Sequence, residues 1–408
     1  MNSTARALLG RARATRAGRD LGRRVKAAVP VRSIEAFSRP RWFYRGRGAI
    51  PKLPVHFRAP SPASEADIVL CQRLIDAYSL AQSAAPPASG MWGHQLFQER
   101  QRALLEALDR RDPVLLANRL ASMFRSDFVL GMAQGSLGLT NQTRLSRRFR
   151  CVHTLGGLVS LAESLGSAHT ENPEQAGVGI GFTEGVEKVV VDTEAALGAS
   201  LDFPDVGAAY GLEIAGRLIT FDSPDQMYGA TRLRDAIQEH LADRAGRLSV
   251  VEIGGGYGAM AYWLLQLVDV RYTIVDLPVV NVLQGYFLAQ ALDAGEVSFY
   301  GEPTGRVVVL PTHALDRIEV PFDVLANKDS MPEIPEPALC AYLDWARGSC
   351  NGIFYSYNQE AAASFDGTPQ NVVHETLDRV GGFERIRRDP SWLRAGYVEE
   401  IYRRVAGN

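Results

Sequence analysis

Val250-Val251-Glu252-Ile253-Gly254-Gly255-Gly256-Tyr257-Gly258 reads as a buried strand that ends near an acid and opens into a glycine-rich turn. A second apolar run, Tyr272-Thr273-Ile274-Val275, ends in Asp276, 22 residues after Gly254. Together they describe a nucleoside-binding βαβ unit. The turn lets a ligand approach the backbone, and the acid at the second strand's tip can hold two ribose hydroxyls.

Two nucleosides compete for this geometry. A dinucleotide places its pyrophosphate on the following helix N-terminus, with the spacing G-x-G-x-x-G/A. Gly254, Gly256 and Ala259 satisfy that form, so NAD stays in play. Three features favour S-adenosylmethionine. Glu252 stands two residues before the first glycine, within reach of the cofactor's cationic methionine end. The third glycine, Gly258, makes the spacing G-x-G-x-G. No Lys or Arg in the turn suits a phosphate. The expected donor contacts are Glu252, Gly254, Gly256, Tyr257, Gly258, Asp276 and Leu277.

Outward from this unit the pattern alternates. Short apolar strands are expected at 249–253, 272–276, 297–300, 306–310, 322–327 and 351–357, with helical stretches between and a final hairpin near 383–388 and 397–404. Alternating β and α implies an α/β fold, a Rossmann-like doubly wound, mostly parallel sheet. Ligands bind such sheets beyond the strands' carboxyl ends, so the polar clusters after each strand carry the functional expectations. His313, after 306–310, is placed to contact adenine. Asn327-Lys328-Asp329-Ser330-Met331-Pro332-Glu333 follows 322–327. Asp329 or Glu333 can accept a proton from an acceptor hydroxyl or hold a divalent cation that lowers its pKa; Asn327 and Ser330 are acceptor contacts. Lys328 beside Asp329 can pair with it and weaken it as a base. Asn358 and Gln359, after 351–357, suit a polyhydroxylated acceptor because each amide both donates and accepts. His374 is a reserve base. Tyr228 and Arg232, just ahead of the first strand, can fold back to meet the methionine carboxylate.

The N-terminal half reads differently. Helical periodicity runs over about 64–135, 141–166 and 184–198, around a Gly-rich loop at 170–182. Residues 51–63 are Pro-rich and read as a linker. The expected organisation is an arm and linker over 1–63, a helical acceptor-binding lid over 64–230, and the donor-binding domain over 231–408. Residues 1–58 hold 15 Lys plus Arg against 2 acids, leaving 29 bases and 44 acids in the rest. This basic arm fits a solvated leader, an interfacial helix on anionic lipid, or a targeting or nucleic-acid-contacting segment; no specific nucleic-acid motif is present. No apolar run approaches the ~20 residues of a membrane span and no secretory signal is visible. Four scattered cysteines without a C-x-x-C pair fit a reducing, cytoplasmic setting.

Residues 225–404 are similar to the bacterial sugar O-methyltransferases. The glycine loop carries the resemblance together with Tyr272 through Pro278, Asn281-Val282-Leu283-Gln284-Gly285-Tyr286, Asn327 through Glu333, Tyr355 through Glu360, and Pro390-Ser391-Trp392-Leu393-Arg394-Ala395-Gly396-Tyr397-Val398-Glu399-Glu400. The resemblance implies a class I methyltransferase fold, S-adenosyl-L-methionine as donor and a sugar hydroxyl as acceptor, often within polysaccharide or glycoconjugate synthesis. The rival expectations are an NAD-dependent sugar-modifying oxidoreductase and a non-catalytic partner subunit of the same fold.

Overall fold

The structure is a computed structural model that describes residues 53–84, 95–133, 144–170, 185–361, 363–365 and 368–405. The basic arm as far as residue 52, and most of the Gly-rich stretch, lie outside the described residues. So do Pro86-Pro87 and the polar turn near 135–140.

The helices expected in the N-terminal half form: α1 (Glu65–Ala84), α2 (Gln95–Asp109), α3 (Pro113–Leu120), α4 (Arg144–Ser164) and α5 (Val186–Leu197). Local chemistry sets their ends. The Asp112 carboxylate accepts from the Leu115 N–H at 2.9 Å and Pro113 opens α3, which satisfies one orphan donor and removes another. α1 buries Leu70, Leu74, Ile75 and Tyr78 on one stripe. Its Arg73 leaves that stripe, lying 4.6 Å from the Phe299 ring centre and bonded twice to Glu302 at 2.8 Å.

A small antiparallel sheet was not foreseen: β1 (Val55–Phe57), β2 (Tyr210–Ile214) and β3 (Arg217–Thr220), in that order. β1 falls within the stretch read as linker. The β2–β3 turn is Ala215-Gly216, both at positive φ (52° and 74°). That is the handedness a two-residue hairpin needs, reached here without the usual Asn-Gly or Asp-Gly signal.

The main sheet matches the expectation strand for strand: β4 (Leu248–Ile253), β5 (Val270–Asp276), β6 (Val297–Phe299), β7 (Val307–Pro311), β8 (Phe322–Lys328), β9 (Cys350–Gln359), β12 (Phe383–Pro390) and β13 (Tyr397–Arg404), with the short pair β10 (Ser364–Phe365) and β11 (Thr368–Pro369) apart from it. The order is β12-β13-β9-β8-β4-β5-β7-β6. β6 through β9 run parallel to β4 and β5; β13 enters antiparallel against β9. This is the Rossmann-like doubly wound sheet, closed by an antiparallel hairpin. Strand order reverses beside β4, so a crevice opens at the carboxyl ends of β4, β5 and β8.

Successive side chains alternate between faces, and each face has its own core. One packs Val251, Ile253, Val275, Leu325 and Phe354 under α9 (Glu336–Ser349) and α10 (Val373–Val380). The other packs Val250, Tyr272, Ile274 and Val324 against α6 (Ser223–Leu241), α7 (Ala259–Leu267) and α8 (Pro278–Ala291). Leu74, Leu104, Leu120 and Leu155 of the N-terminal helices join that second core. The helical half and the sheet therefore share one apolar interior, and α6 runs unbroken across the expected boundary at 230/231. Among the described residues no helix is long and apolar enough to cross a membrane. None of the four cysteines forms a disulfide.

Candidate functional site

The glycine loop turns through three left-handed residues, Gly254, Gly256 and Gly258, at φ 72°, 58° and 93°. Gly254 is doubly constrained, since a Cβ there would lie 2.0 Å from Ser330 Oγ. That closeness is built in. Asn327 Nδ2 donates to the Ile253 carbonyl at 2.7 Å, and Ser330 Oγ donates to the same oxygen at 3.0 Å. Asn327 and Ser330 thus tie the end of β8 to the end of β4. Ser330 also borders the cavity; Asn327 is fully buried and braces the loop instead of meeting an acceptor.

Below the loop lies a cavity of about 220 Å³. Two acids from strand ends floor it. Glu252 is 1% exposed, and its Oε2 accepts from the Tyr272 hydroxyl at 3.0 Å. Burial pushes its carboxyl up to about 8, only partly countered by that bond. Asp276 is raised to about 7 by burial, against bonds from the Leu277 N–H and the Gln284 amide, both at 2.8 Å. The same Gln284 nitrogen donates to the Gly256 carbonyl at 2.9 Å. Gln284 therefore sets the spacing between loop and acid, a role its place in mid-helix did not reveal. One buried and one half-buried carboxylic acid facing a cavity suit a ligand that brings positive charge and hydroxyl donors.

The opposite wall carries a four-residue charge network. Lys328 Nζ donates to Asp225 at 2.7 Å and to Asp329 at 2.8 Å. Arg394 Nη1 bonds both Asp329 oxygens, at 2.7 and 2.8 Å, and lies 3.5 Å from Asp225. Burial by itself would depress the Lys328 ammonium; the two carboxylates outweigh it and raise it above its usual value. The Arg394 guanidinium stacks 3.4 Å from the centre of the Tyr397 ring. Asp329 is held at φ 70°, a left-handed conformation costly for a side-chain-bearing residue, by its N–H bond to the Tyr357 carbonyl at 3.0 Å. The expectation that Asp329 acts as proton acceptor is corrected accordingly. A carboxylate already bonded to an ammonium and a guanidinium is a poor base. Glu333 borders the same cavity, as do Gln359 and Gln370, whose amides bond to each other at 3.1 Å.

Several expected site residues lie elsewhere. Tyr228 and Arg232 do not close the cavity: the Tyr228 hydroxyl and the Arg232 Nε both bond to buried Glu399 of β13, the latter at 2.6 Å. One side of α6 serves the sheet while Asp225, three residues before Tyr228, faces the cavity. Tyr257 packs edge-on against Phe124 and Phe287 at 5.0 and 5.1 Å, in the core. Gly258 ends the loop under Leu288. Leu277 contributes its backbone N–H to Asp276 and opens α8. His313 lies edge-on to Tyr300 and is not among the cavity-lining residues. Asn358 is buried within the sheet and donates to Ser356 at 2.9 Å.

His374 sits 3.0 Å from Glu360 and does not line the cavity. With Glu360 and Glu400 it forms a grouping whose potential ligand atoms lie within 4.8 Å of one another. Arg388 bridges both of those carboxylates and Arg385 also pairs with Glu400, so two guanidinium charges offset the two acids. Asp225, Gln226, Gln370 and Arg394 were not singled out from sequence. Arg394 lies in the β12–β13 connection, remote in sequence from Asp225, Lys328 and Asp329.

No family model matches the chain, and no curated protein matches it. Solved structures are similar to it at low identity. The mitomycin 7-O-methyltransferase MmcR is 13% identical and matches over 83% of this chain and 94% of its own, at a TM-score of 0.35. The glycopeptide N-methyltransferase MtfA, solved with S-adenosyl-L-methionine, is 14% identical over 43% of this chain and 94% of its own, at 0.32. A Burkholderia thailandensis 1,6-didemethyltoxoflavin N1-methyltransferase is 22% identical over 44% of this chain and 79% of its own, at 0.31.

Proposed function

We propose that the protein is an S-adenosyl-L-methionine-dependent O-methyltransferase that acts on a hydroxyl of a sugar-containing acceptor. The observation that carries the donor half is the shared cavity of Gly254, Gly256, Glu252 and Asp276. A loop free of lysine and arginine, beside two cavity-lining acids, suits a cationic, phosphate-free nucleoside better than a dinucleotide. Asp276 would hold the ribose hydroxyls and Glu252 the methionine amino end. The acceptor half rests on the opposite wall, where Gln226, Gln359 and Gln370 offer paired donors and acceptors to a polyhydroxylated molecule.

Methyl transfer needs alignment above all, and water excluded from the path. The N-terminal half contributes Gly131 and Met132, from a turn after α3, to the cavity lining. Glu333 would take the acceptor's proton as the new carbon–oxygen bond forms. We place the enzyme in the cytoplasm, with the basic arm ahead of β1, residues 1–52, resting on anionic membrane; sedimentation with phosphatidylserine vesicles, lost on deleting those residues, tests that placement.

Calorimetric titration with S-adenosylhomocysteine, S-adenosylmethionine and NAD tests the donor. Both sulfur nucleosides should bind. Asp276→Ala should weaken them by about 1–3 kcal/mol, the scale of losing hydrogen bonds to a charged group. Binding of NAD alone would overturn the reading in favour of a redox enzyme.

A further inference from the structure

The network on the acceptor wall gathers two carboxylates around one ammonium. Asp225 and Asp329 come from different elements, α6 and the end of β8, and turn their Oδ2 atoms toward one point. At that point, 2.7 and 2.8 Å from the two oxygens, sits the Lys328 ammonium. It is not there by the accident of a floppy side chain. Lys328 is 4% exposed at its side chain, and its stem lies over Gly229 of α6, where a Cβ would come within 3.1 Å of Cδ and 3.3 Å of Cε. The absence of a side chain at 229 leaves the channel the lysine occupies. Arg394 Nη1 reaches the same two oxygens, 2.8 Å from Asp329 Oδ2 and 3.5 Å from Asp225 Oδ2, and also bonds Asp329 Oδ1, so two carboxylates and two cations balance at the cavity wall.

We propose that Lys328 is a built-in cation, filling the place between Asp225 and Asp329 that a divalent metal ion would otherwise take. Two of its three N–H donors hold those carboxylates; the third is left for a ligand in the cavity. A compact point charge on a buried stem does here what a Lewis acid does in a metal-assisted transfer. Its use in catalysis rests on the methyl-transfer reading above. There the acceptor O–H bond breaks with its proton passing to Glu333, an oxygen lone pair forms the bond to the methyl carbon, and the carbon–sulfur pair stays on sulfur. The ammonium offsets the negative charge on oxygen as the proton leaves. Asp225, Asp329 and Arg394 are positioning residues in this scheme: they hold Lys328 in place and keep the wall neutral.

Manganese binding followed by electron paramagnetic resonance on the full-length protein tests the cation site without knowledge of the acceptor. The wild-type protein should hold no Mn²⁺ that depends on Asp225, and its S-adenosylhomocysteine affinity should be unchanged by EDTA. Lys328→Ala should gain a Mn²⁺ site, with Kd on the order of 10⁻⁴–10⁻³ M as for carboxylate sites with few ligands. The double variant Lys328→Ala/Asp225→Asn should lack it. Lys328→Gln keeps the side-chain volume and is scored in the same way should the alanine variant fail to fold. Asp225-dependent Mn²⁺ binding by the wild type would overturn the proposal, as would a folded Lys328 variant that gains no metal. S-adenosylhomocysteine titration of the same wild-type preparation reports on the donor site separately. Its failure would sink the methyl-transfer reading and leave the cation result standing.

Discussion

Glu252→Gln isolates the cost of keeping an acid under the glycine loop. The side chain is 1% exposed and burial raises its carboxyl from an ordinary 4.5 to about 8. The folded protein therefore binds this proton more tightly than the unfolded chain does. Stability from the protonated form is fully present below the unfolded value and is lost as pH rises through the folded one. At about 1.36 kcal/mol per pH unit, the whole window is worth about 5 kcal/mol, and the part between pH 6 and pH 8 about 2 kcal/mol. Glutamine keeps the shape and can still accept from Tyr272, but it cannot ionise. Urea denaturation at pH 6, 7 and 8 should show the wild type losing about 2 kcal/mol relative to Glu252→Gln across that range. Parallel curves for the two proteins would refute the reasoning, because they would mean that Glu252 is solvated well enough to be charged throughout. The same proton should appear in ligand binding. If the donor's cationic end selects the ionised acid, S-adenosylhomocysteine affinity rises with pH between 6 and 8 in the wild type, and the rise is smaller in the variant.

Gly254→Ala should abolish S-adenosylhomocysteine binding and destabilise the fold by roughly 1–3 kcal/mol, because the residue sits at φ 72° with Ser330 Oγ where the methyl would go; calorimetry and thermal melting measure the two effects. Tyr228→Phe should leave donor affinity unchanged while costing about 1–3 kcal/mol of stability, since its hydroxyl serves buried Glu399; a weakened donor affinity in a stably folded variant would return Tyr228 to the cavity.

The sequence by itself determined the sheet, the glycine loop and its two acids. All three are local signals. An apolar run, a glycine turn and an acid at the strand tip are contiguous in the chain, and the parallel order then puts them at one edge. It also showed that Lys328 stands beside Asp329, because the two are neighbours. The three-stranded sheet escaped because β1 lies over 150 residues from its partner β2 and because the Ala215-Gly216 turn lacks the usual residues. The charge network at the cavity escaped for the same reason on a larger scale. Asp225, Lys328, Asp329 and Arg394 come from α6, β8 and the β12–β13 connection, and no spacing links them. Only the tertiary structure decided that Asp329 is an anchor for two cations and not a base. The helical period alone could not tell which side of α6 meets the cavity. The structure turns Asp225 toward it, and sends Tyr228 and Arg232 to Glu399. Proton affinity and ligand reach depend on the charges and the burial around a group, and these arise when distant segments pack together.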